Sequence, residues 1–153
     1  MNFNINAYQG RWYEIGKYYT PFEKDCTSAT ADYINNNNSL FIINSCYYDG
    51  NLIKQNYGIA NVTQKPGTFT LLFNYETVFN NGYFIPSYPS TYTVLWTDYH
   101  NYSFVGSTNK NVYWILARKS KLTSQEQSFI IKKTIELGFN PNKVIMNNDF
   151  TYF

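Results

Sequence analysis

The chain has 153 residues and is poor in charge, with 12 Lys and Arg against 10 Asp and Glu and a net charge of +2 at pH 7. The basic residues form no long block, whereas proteins that bind a phosphate backbone usually carry a dense basic patch. No apolar run approaches about 18 residues, the length of a membrane helix. We therefore expect no nucleic-acid partner and no transmembrane segment.

Residues that carry catalysis are equally scarce, since the chain has one His and two Cys. His100 directly follows Thr97-Asp98-Tyr99, which reads as a turn, so we interpret it as a turn residue rather than a general base. No Ser/His/Asp set, metal-ligand cluster or Gly-rich phosphate loop can be assembled from the sequence. We expect a protein that is not an enzyme and that needs no cofactor and no metal.

Aromatic residues are abundant, at 20% of the chain, and Tyr and Phe favour β-strands. Apolar and polar residues alternate with a period of two along most of the sequence, which is typical of half-buried strands. Turn signals such as Asp49-Gly50 separate the alternating segments. The pattern predicts eight strands: Arg11–Tyr19, Thr27–Ile34, Ser39–Tyr48, Leu52–Thr63, Thr68–Asn74, Thr91–Thr97, Tyr102–Ser107 and Val112–Arg118.

One helix is predicted after the last strand. Thr123 and Glu126 form a capping box, and Gly138 supplies the C-terminal stop. The predicted buried arc of this helix contains Ile130, Ile131, Thr134, Ile135 and Leu137, with Phe129 as a misfit. A short ninth strand is expected at Lys143–Met146. Short links between sequential strands favour an all-β, eight-stranded antiparallel up-and-down barrel, with the α-helix packed outside, in a single domain spanning residues 1–153.

The two cysteines flank a predicted turn at Asn35–Asn38 almost symmetrically. Strands joined by that turn would bring Cys26 and Cys46 within disulfide reach. The alternative is two unpaired thiols in a reducing compartment. The first ten residues have neither the basic nor the apolar region of a signal peptide, while a disulfide implies an oxidising setting, so the sequence leaves the compartment open.

Three short motifs lie at the ends of predicted strands, in an order that is typical of one protein family. Gly10-Arg11-Trp12 opens the first strand, Thr97-Asp98-Tyr99 closes the sixth, and Arg118 ends the eighth. With the strand count and the late helix, this pattern resembles the lipocalin family, in its bacterial and apolipoprotein D-like branch. The resemblance implies that one end of the barrel is closed by Trp12 with the Arg118 guanidinium stacked on the indole. The predicted barrel-closing residues are Gly10, Trp12, Thr97, Asp98, Tyr99 and Arg118.

The same resemblance implies that the barrel interior binds a small hydrophobic molecule, such as a fatty acid or lysophospholipid. Strand parity from the motifs places small side chains opposite large aromatic ones. The predicted ligand-binding residues are Ala31, Tyr33, Ile42, Asn44, Gly58, Ala60, Phe69, Leu71, Phe73, Tyr92, Val94, Trp96, Val105, Trp114 and Leu116.

Two alternatives remain open from the sequence. In the first, aromatic side chains fill the barrel, and the protein acts by interacting with a partner rather than by binding a ligand inside. In the second, the protein is an enzyme of the lipocalin type that uses the Cys46 thiol. An aromatic-rich loop at Tyr75–Ser90 suits a lid, a dimer contact or a peripheral membrane contact, or else packs only on itself. Glu14 is expected at the surface; the alternative is that it faces inward, with a raised pKa, and binds a ligand head group. The oligomeric state is not predicted.

Overall fold

The computed structural model describes residues 2–20, 23–77, 85–86 and 90–147. Its helices are α1 (Ile5–Tyr8) and α2 (Ser124–Glu136), with a 3₁₀ turn at Pro141–Lys143. Its strands are β1 (Gly10–Lys17), β2 (Ser28–Asn36), β3 (Ser39–Tyr48), β4 (Asn51–Val62), β5 (Thr68–Thr77), β6 (Ile85–Pro86), β7 (Ser90–Thr97), β8 (Tyr102–Gly106), β9 (Tyr113–Ala117) and β10 (Ile145–Met146).

Eight of these strands close into a ring. The order is β1-β2-β3-β4-β5-β7-β8-β9, every neighbour is antiparallel, and β9 pairs back with β1. The short strands β6 and β10 pair with β5 and β1. The predicted antiparallel barrel with one late helix and a short extra strand is confirmed. Among the residues described, no helix has the length and apolarity needed to cross a bilayer.

Two-residue turns set the register of the first hairpins. Asn37 and Asn38 both have positive φ values, 49° and 68°, which Asn tolerates better than most residues and which a tight hairpin turn requires. Asn36 therefore pairs with Ser39, and the strands run closer to the turn than the sequence pattern predicted. Asp49 and Gly50 make the next turn in the same way, with φ values of 48° and 80°.

The helix α2 begins as predicted but presents a different face. Thr123 and Glu126 form the reciprocal capping box. Phe129 packs against the barrel, whereas Ile131 and Ile135 are 51% and 58% exposed, so the predicted buried arc was wrong at these three positions. The buried face instead follows Ile130 and Thr134, four residues apart on one side of the helix.

The barrel has two distinct ends. At the closed end, β1 begins and α1 crosses beneath the strands. At the open end, β1 finishes at Lys17 and β2 starts at Ser28. The side chains of the interior form one core cluster, and those between the outer wall and α2 form another.

Candidate ligand-binding site

The closed end is built on the stacking of Arg118 over Trp12. The guanidinium carbon lies 3.7 Å from the indole centroid, and Trp12 is fully buried. Arg118 also donates to the backbone carbonyls of Tyr99, Arg11 and Ala7 at 3.0, 3.1 and 3.0 Å. Since these carbonyls belong to separate segments, one side chain ties α1, β1 and the turn after β7 together.

Gly10 allows this close approach. Its φ of +99° is a conformation that favours glycine, and a Cβ there would lie 3.3 Å from the Arg118 Nη1 atom. A larger residue at position 10 would therefore both strain the backbone and crowd the guanidinium.

The turn after β7 is held by its own side chains. The Thr97 hydroxyl accepts from the Tyr99 amide at 3.0 Å and donates to the Tyr102 carbonyl at 2.8 Å. One carboxylate oxygen of Asp98 accepts the amides of Asn101 and Tyr102, both at 2.9 Å. Partial burial opposes ionisation of Asp98, but these hydrogen bonds outweigh it and hold its pKa below the ordinary value. The turn is thereby fixed for Arg118 to bind.

Above Trp12 lies a layer of tyrosine hydroxyls. Tyr8 is the last residue of α1, and its hydroxyl is hydrogen-bonded to the Ser103 hydroxyl at 2.6 Å. Tyr33 and Tyr92 contact each other in the same way at 2.8 Å. Burial raises the pKa of Tyr8 well above its ordinary value and that of Tyr33 to about 12, so these hydroxyls stay neutral at physiological pH. The layer separates the apolar floor from the open half.

The inner face of the open half is more exposed than the floor. Asn44, Asn56, Tyr92 and Trp114 are half-buried although they point inward, so solvent reaches the interior from this end. The neighbouring inner positions are small. These small residues are Ala29, Ala31 and Gly58; Ala31 pairs with Asn44 and Gly58 with Ile42 across the strands.

A buried charge cluster occupies the wall of the open half. The Lys17 ammonium lies 3.6 Å from Glu14 and 3.2 Å from Glu23, and the Trp114 indole N–H donates to Glu23 at 2.8 Å. Lys17 points inward because a bulge between Glu14 and Gly16 shifts the register of β1 against β9.

Glu14 is therefore a correction to the sequence analysis. It is only 7% exposed rather than at the surface. Burial, together with the nearby Glu23 carboxylate, raises the pKa of Glu14 well above its ordinary value, although Lys17 opposes the shift. The interior thus holds a carboxyl group that binds a proton more tightly than a solvated one.

The disulfide between Cys26 and Cys46 is present, with the two Cα atoms 5.3 Å apart. Cys46 pairs with Ala29 across the strands, so the bond joins the segment before β2 to β3 at the open end. Both thiols are consumed by it, and the thiol-enzyme alternative loses its nucleophile.

Most predicted ligand-binding residues lie on the inner face, but many of them form the floor. Phe69, Val94, Val105 and Leu116 pack in one cluster with Tyr8 and Trp12. The other inner residues of the predicted set are Ala31, Tyr33, Ile42, Asn44, Gly58, Ala60, Leu71, Tyr92 and Trp114. The side chain of Phe73 lies outside the described residues.

Trp96 was assigned to the wrong face. It packs on the outside, 5.8 Å from the Phe104 ring and 5.9 Å from the Phe129 ring of α2. A bulge between Val94 and Trp96 inserts one residue, Leu95, into β7. One extra residue reverses the alternation of faces, and a periodicity argument that assumes an unbroken strand cannot detect it.

Several interior residues were not in the predicted set. Tyr8 precedes the first strand, in a helix too short to leave a periodic signal, and Lys17 depends on the β1 bulge. Glu23 reaches the interior from a connecting segment. Ser103 shares the inward parity of Val105 in β8, so alternation alone identifies its face.

A separate depression of about 290 Å³ lies at the closed end, between the N-terminal segment and the β4–β5 turn. The Phe3 ring closes it from the interior, with centroids 5.0 Å from Tyr8 and 5.3 Å from Phe69. The predicted loop at Tyr75–Ser90 falls largely outside the described residues, and its role stays a prediction.

Comparison with known proteins agrees with this architecture. Residues 3–149 match the family described as a lipocalin-like domain. Apolipoprotein D of Macaca fascicularis is 35% identical over 140 residues, covering 84% of this chain and 68% of that protein. The outer membrane lipoprotein Blc of Citrobacter freundii is 25% identical over 146 residues, covering 94% and 78%. Insecticyanin of Manduca sexta has the same fold, with a TM-score of 0.70, 22% identity and coverage of 96% and 81%.

Proposed function

The chain belongs to the lipocalin family, whose members bind small hydrophobic ligands, and from this premise we propose that it carries or sequesters an amphiphilic lipid, such as a fatty acid or a lysophospholipid. The proposed role is binding or transport rather than catalysis. The ligand would enter the open half of the barrel and stop at the layer of tyrosine hydroxyls. The residues proposed to contact it are Ala31, Asn44, Gly58, Tyr92 and Trp114.

One observation carries this proposal: the inward side chains of the open half are half-buried and partly small, whereas those of the floor are fully buried. Binding would be driven by burial of apolar area, at about 25 cal/mol per Å². Asn44 and Asn56 are paired across β3 and β4 and offer amide hydrogen bonds to a polar head group near the mouth.

A paired substitution on one strand tests the proposal. Asn44 and Ile43 are adjacent and both half-buried, but only Asn44 faces inward. Asn44→Trp places a ring in the open half and is expected to weaken the binding of a fluorescent fatty-acid probe at least tenfold. Ile43→Trp should bind the probe like the wild type.

The wild-type measurement comes first. Absence of saturable probe binding to folded protein, with both a fatty acid and a lysophospholipid as competitors, would contradict the proposal and favour a filled barrel. Equal loss of binding in both variants would argue against the inward assignment.

A further inference from the structure

Four large apolar side chains form a continuous row on the outside of the barrel. Ile34 pairs with Phe41, Phe41 with Ile59, and Ile59 with Leu72, across β2, β3, β4 and β5. They are 49%, 41%, 36% and 45% exposed, respectively. We call these four residues the outer row. Scattered exposed apolar residues are ordinary, but an uninterrupted row on adjacent strands indicates a contact surface.

The other side of the barrel shows how such a surface is normally covered. On β7, β8 and β9 the outward side chains Trp96, Phe104 and Tyr113 are covered by α2 and the segment after it. The outer row has the same apolar character, yet within the part of the chain that the structure describes its four side chains stay 36–49% exposed.

The side chains beside the outer row are almost all uncharged. On one side lie Asn36, Ser39, Asn61 and Thr70, directly paired across the same four strands. Amide and hydroxyl groups both donate and accept, so such a border can hydrogen-bond to a copy of itself.

On the other side of the outer row lie Asp32, Ile43 and Tyr57. The carboxylate of Asp32 is already paired with Arg11 at 2.9 Å. This border offers no unpaired charge to an acidic or a basic partner.

This polar border also argues against insertion into a lipid bilayer. On the side of Asn36, Ser39, Asn61 and Thr70 the outer row directly meets amides and hydroxyls. Burying the row in hydrocarbon would desolvate these groups, which find no partner there. Against another protein surface the same groups can be satisfied at the rim of an apolar centre, which is the usual anatomy of a protein interface.

We propose that the outer row is a self-association surface at which two copies of this chain pack sheet against sheet. A two-fold axis running between β3 and β4 sets Phe41 of one copy against Ile59 of the other, and Ile34 against Leu72, because a two-fold contact uses the same patch on both copies. The row and its borders comprise about half of the roughly 20–30 residues per side of a standard interface, so the dimer forms reversibly. This inference concerns the outer wall and goes beyond ligand binding inside the barrel.

The test measures molecular mass against protein concentration by analytical ultracentrifugation. The wild type should change from monomer to dimer, and Phe41→Glu and Ile59→Lys should each weaken association at least about tenfold, since truncating a central apolar contact typically has that effect. A mixture of the two variants should associate again, because Glu at position 41 of one copy then faces Lys at position 59 of the other. Ile135→Glu, at an equally exposed position on α2, is the matched control and should dimerise like the wild type.

Three results would overturn the proposal. One is a wild type that stays monomeric at all concentrations. If that monomer also co-floats with neutral phosphatidylcholine vesicles, the outer row is a membrane contact instead. Another is dimerisation that survives Phe41→Glu and Ile59→Lys. The last is loss of dimerisation in Ile135→Glu. Fatty-acid probe binding by the same variants should be unchanged, which separates failure of this inference from failure of the ligand-binding function.

Discussion

The two ends of the barrel use similar residues for different purposes. At the closed end the Tyr8 and Trp12 rings are fully buried, and Arg118 binds three backbone carbonyls around Trp12. At the open end, Trp114 and Tyr92 are half-buried. A disulfide and an ion cluster replace dense packing there.

This difference shows that aromatic content alone does not determine whether a barrel is filled. What matters is the size of the residues opposite each ring and the position of each ring along the barrel axis. Dense packing at one end supplies stability, whereas at the other end the described inward side chains Asn44, Asn56, Tyr92 and Trp114 stay half-buried.

The largest expected effect compares two tryptophans on the inner face. Trp12→Ala removes a fully buried ring and its stacking with Arg118, and should lower the free energy of unfolding by about 4 kcal/mol. Trp114→Ala removes a half-buried ring and should lower it by about half as much. Urea denaturation followed by circular dichroism measures both.

Ligand binding should rank the same pair in the opposite order. Trp114→Ala should weaken binding of the fatty-acid probe more than Trp12→Ala does, provided that both variants fold. Trp12→Phe, which keeps a ring, covers the case in which Trp12→Ala does not fold. Equal destabilisation by the two Ala variants would remove the distinction between the ends.

The next effect concerns the disulfide, which supports only the open end. The bond joins residues 20 positions apart, and its loss should lower the free energy of unfolding by about 3 kcal/mol. Hydrogen exchange of the Cys26→Ser, Cys46→Ser double variant should accelerate at the start of β2 and the end of β3. Amides near Trp12 serve as the internal control. Acceleration at both ends alike would indicate that the bond stabilises the barrel as a whole.

The smallest effect is on pH dependence, where two glutamates should act in opposite directions. The folded protein raises the pKa of Glu14, mainly through burial, so stability falls as pH rises from the unfolded value of about 4.5 towards the folded pKa. Glu14→Gln should remove that fall and be more stable than the wild type at neutral pH.

Glu126 provides the matched comparison on the outer wall. Hydrogen bonds from Lys119, Tyr102 and the Thr123 amide lower the pKa of Glu126 to about 2. The stability it contributes is present above pH 4.5 and is lost as pH falls towards 2. Glu126→Gln should therefore flatten the acid side of the stability profile and Glu14→Gln the neutral side. A change on the same side in both variants would contradict the assignments.

Most of the fold could be predicted from the sequence because alternation, turn residues and the capping box are local signals. The disulfide followed from spacing, even though the predicted turn at Asn35–Asn38 was longer than the two-residue turn that forms at Asn37 and Asn38. The helix boundaries were right and its buried face was not, since Ile131 and Ile135 lie on the exposed side despite their hydrophobicity.

The binding site was less predictable because it depends on irregularities. The bulges at Leu95 and after Glu14 each reverse the faces of a strand end, which moved Trp96 outward and Lys17 inward. Tyr8 and Glu23 enter the barrel from segments outside the strands. No periodic pattern in the sequence marks these positions.

The three tryptophans also give the molecule a built-in optical readout. Trp12 lies beneath a guanidinium, Trp96 lies on the outer wall with the Lys133 ammonium 4.7 Å from its ring centroid, and Trp114 lies at the solvent-reached inner face. Single-tryptophan variants would therefore emit from three separate compartments of one small barrel. A change in emission wavelength or fluorescence lifetime could then be assigned to the closed end, the α2 contact or the open end without any added label.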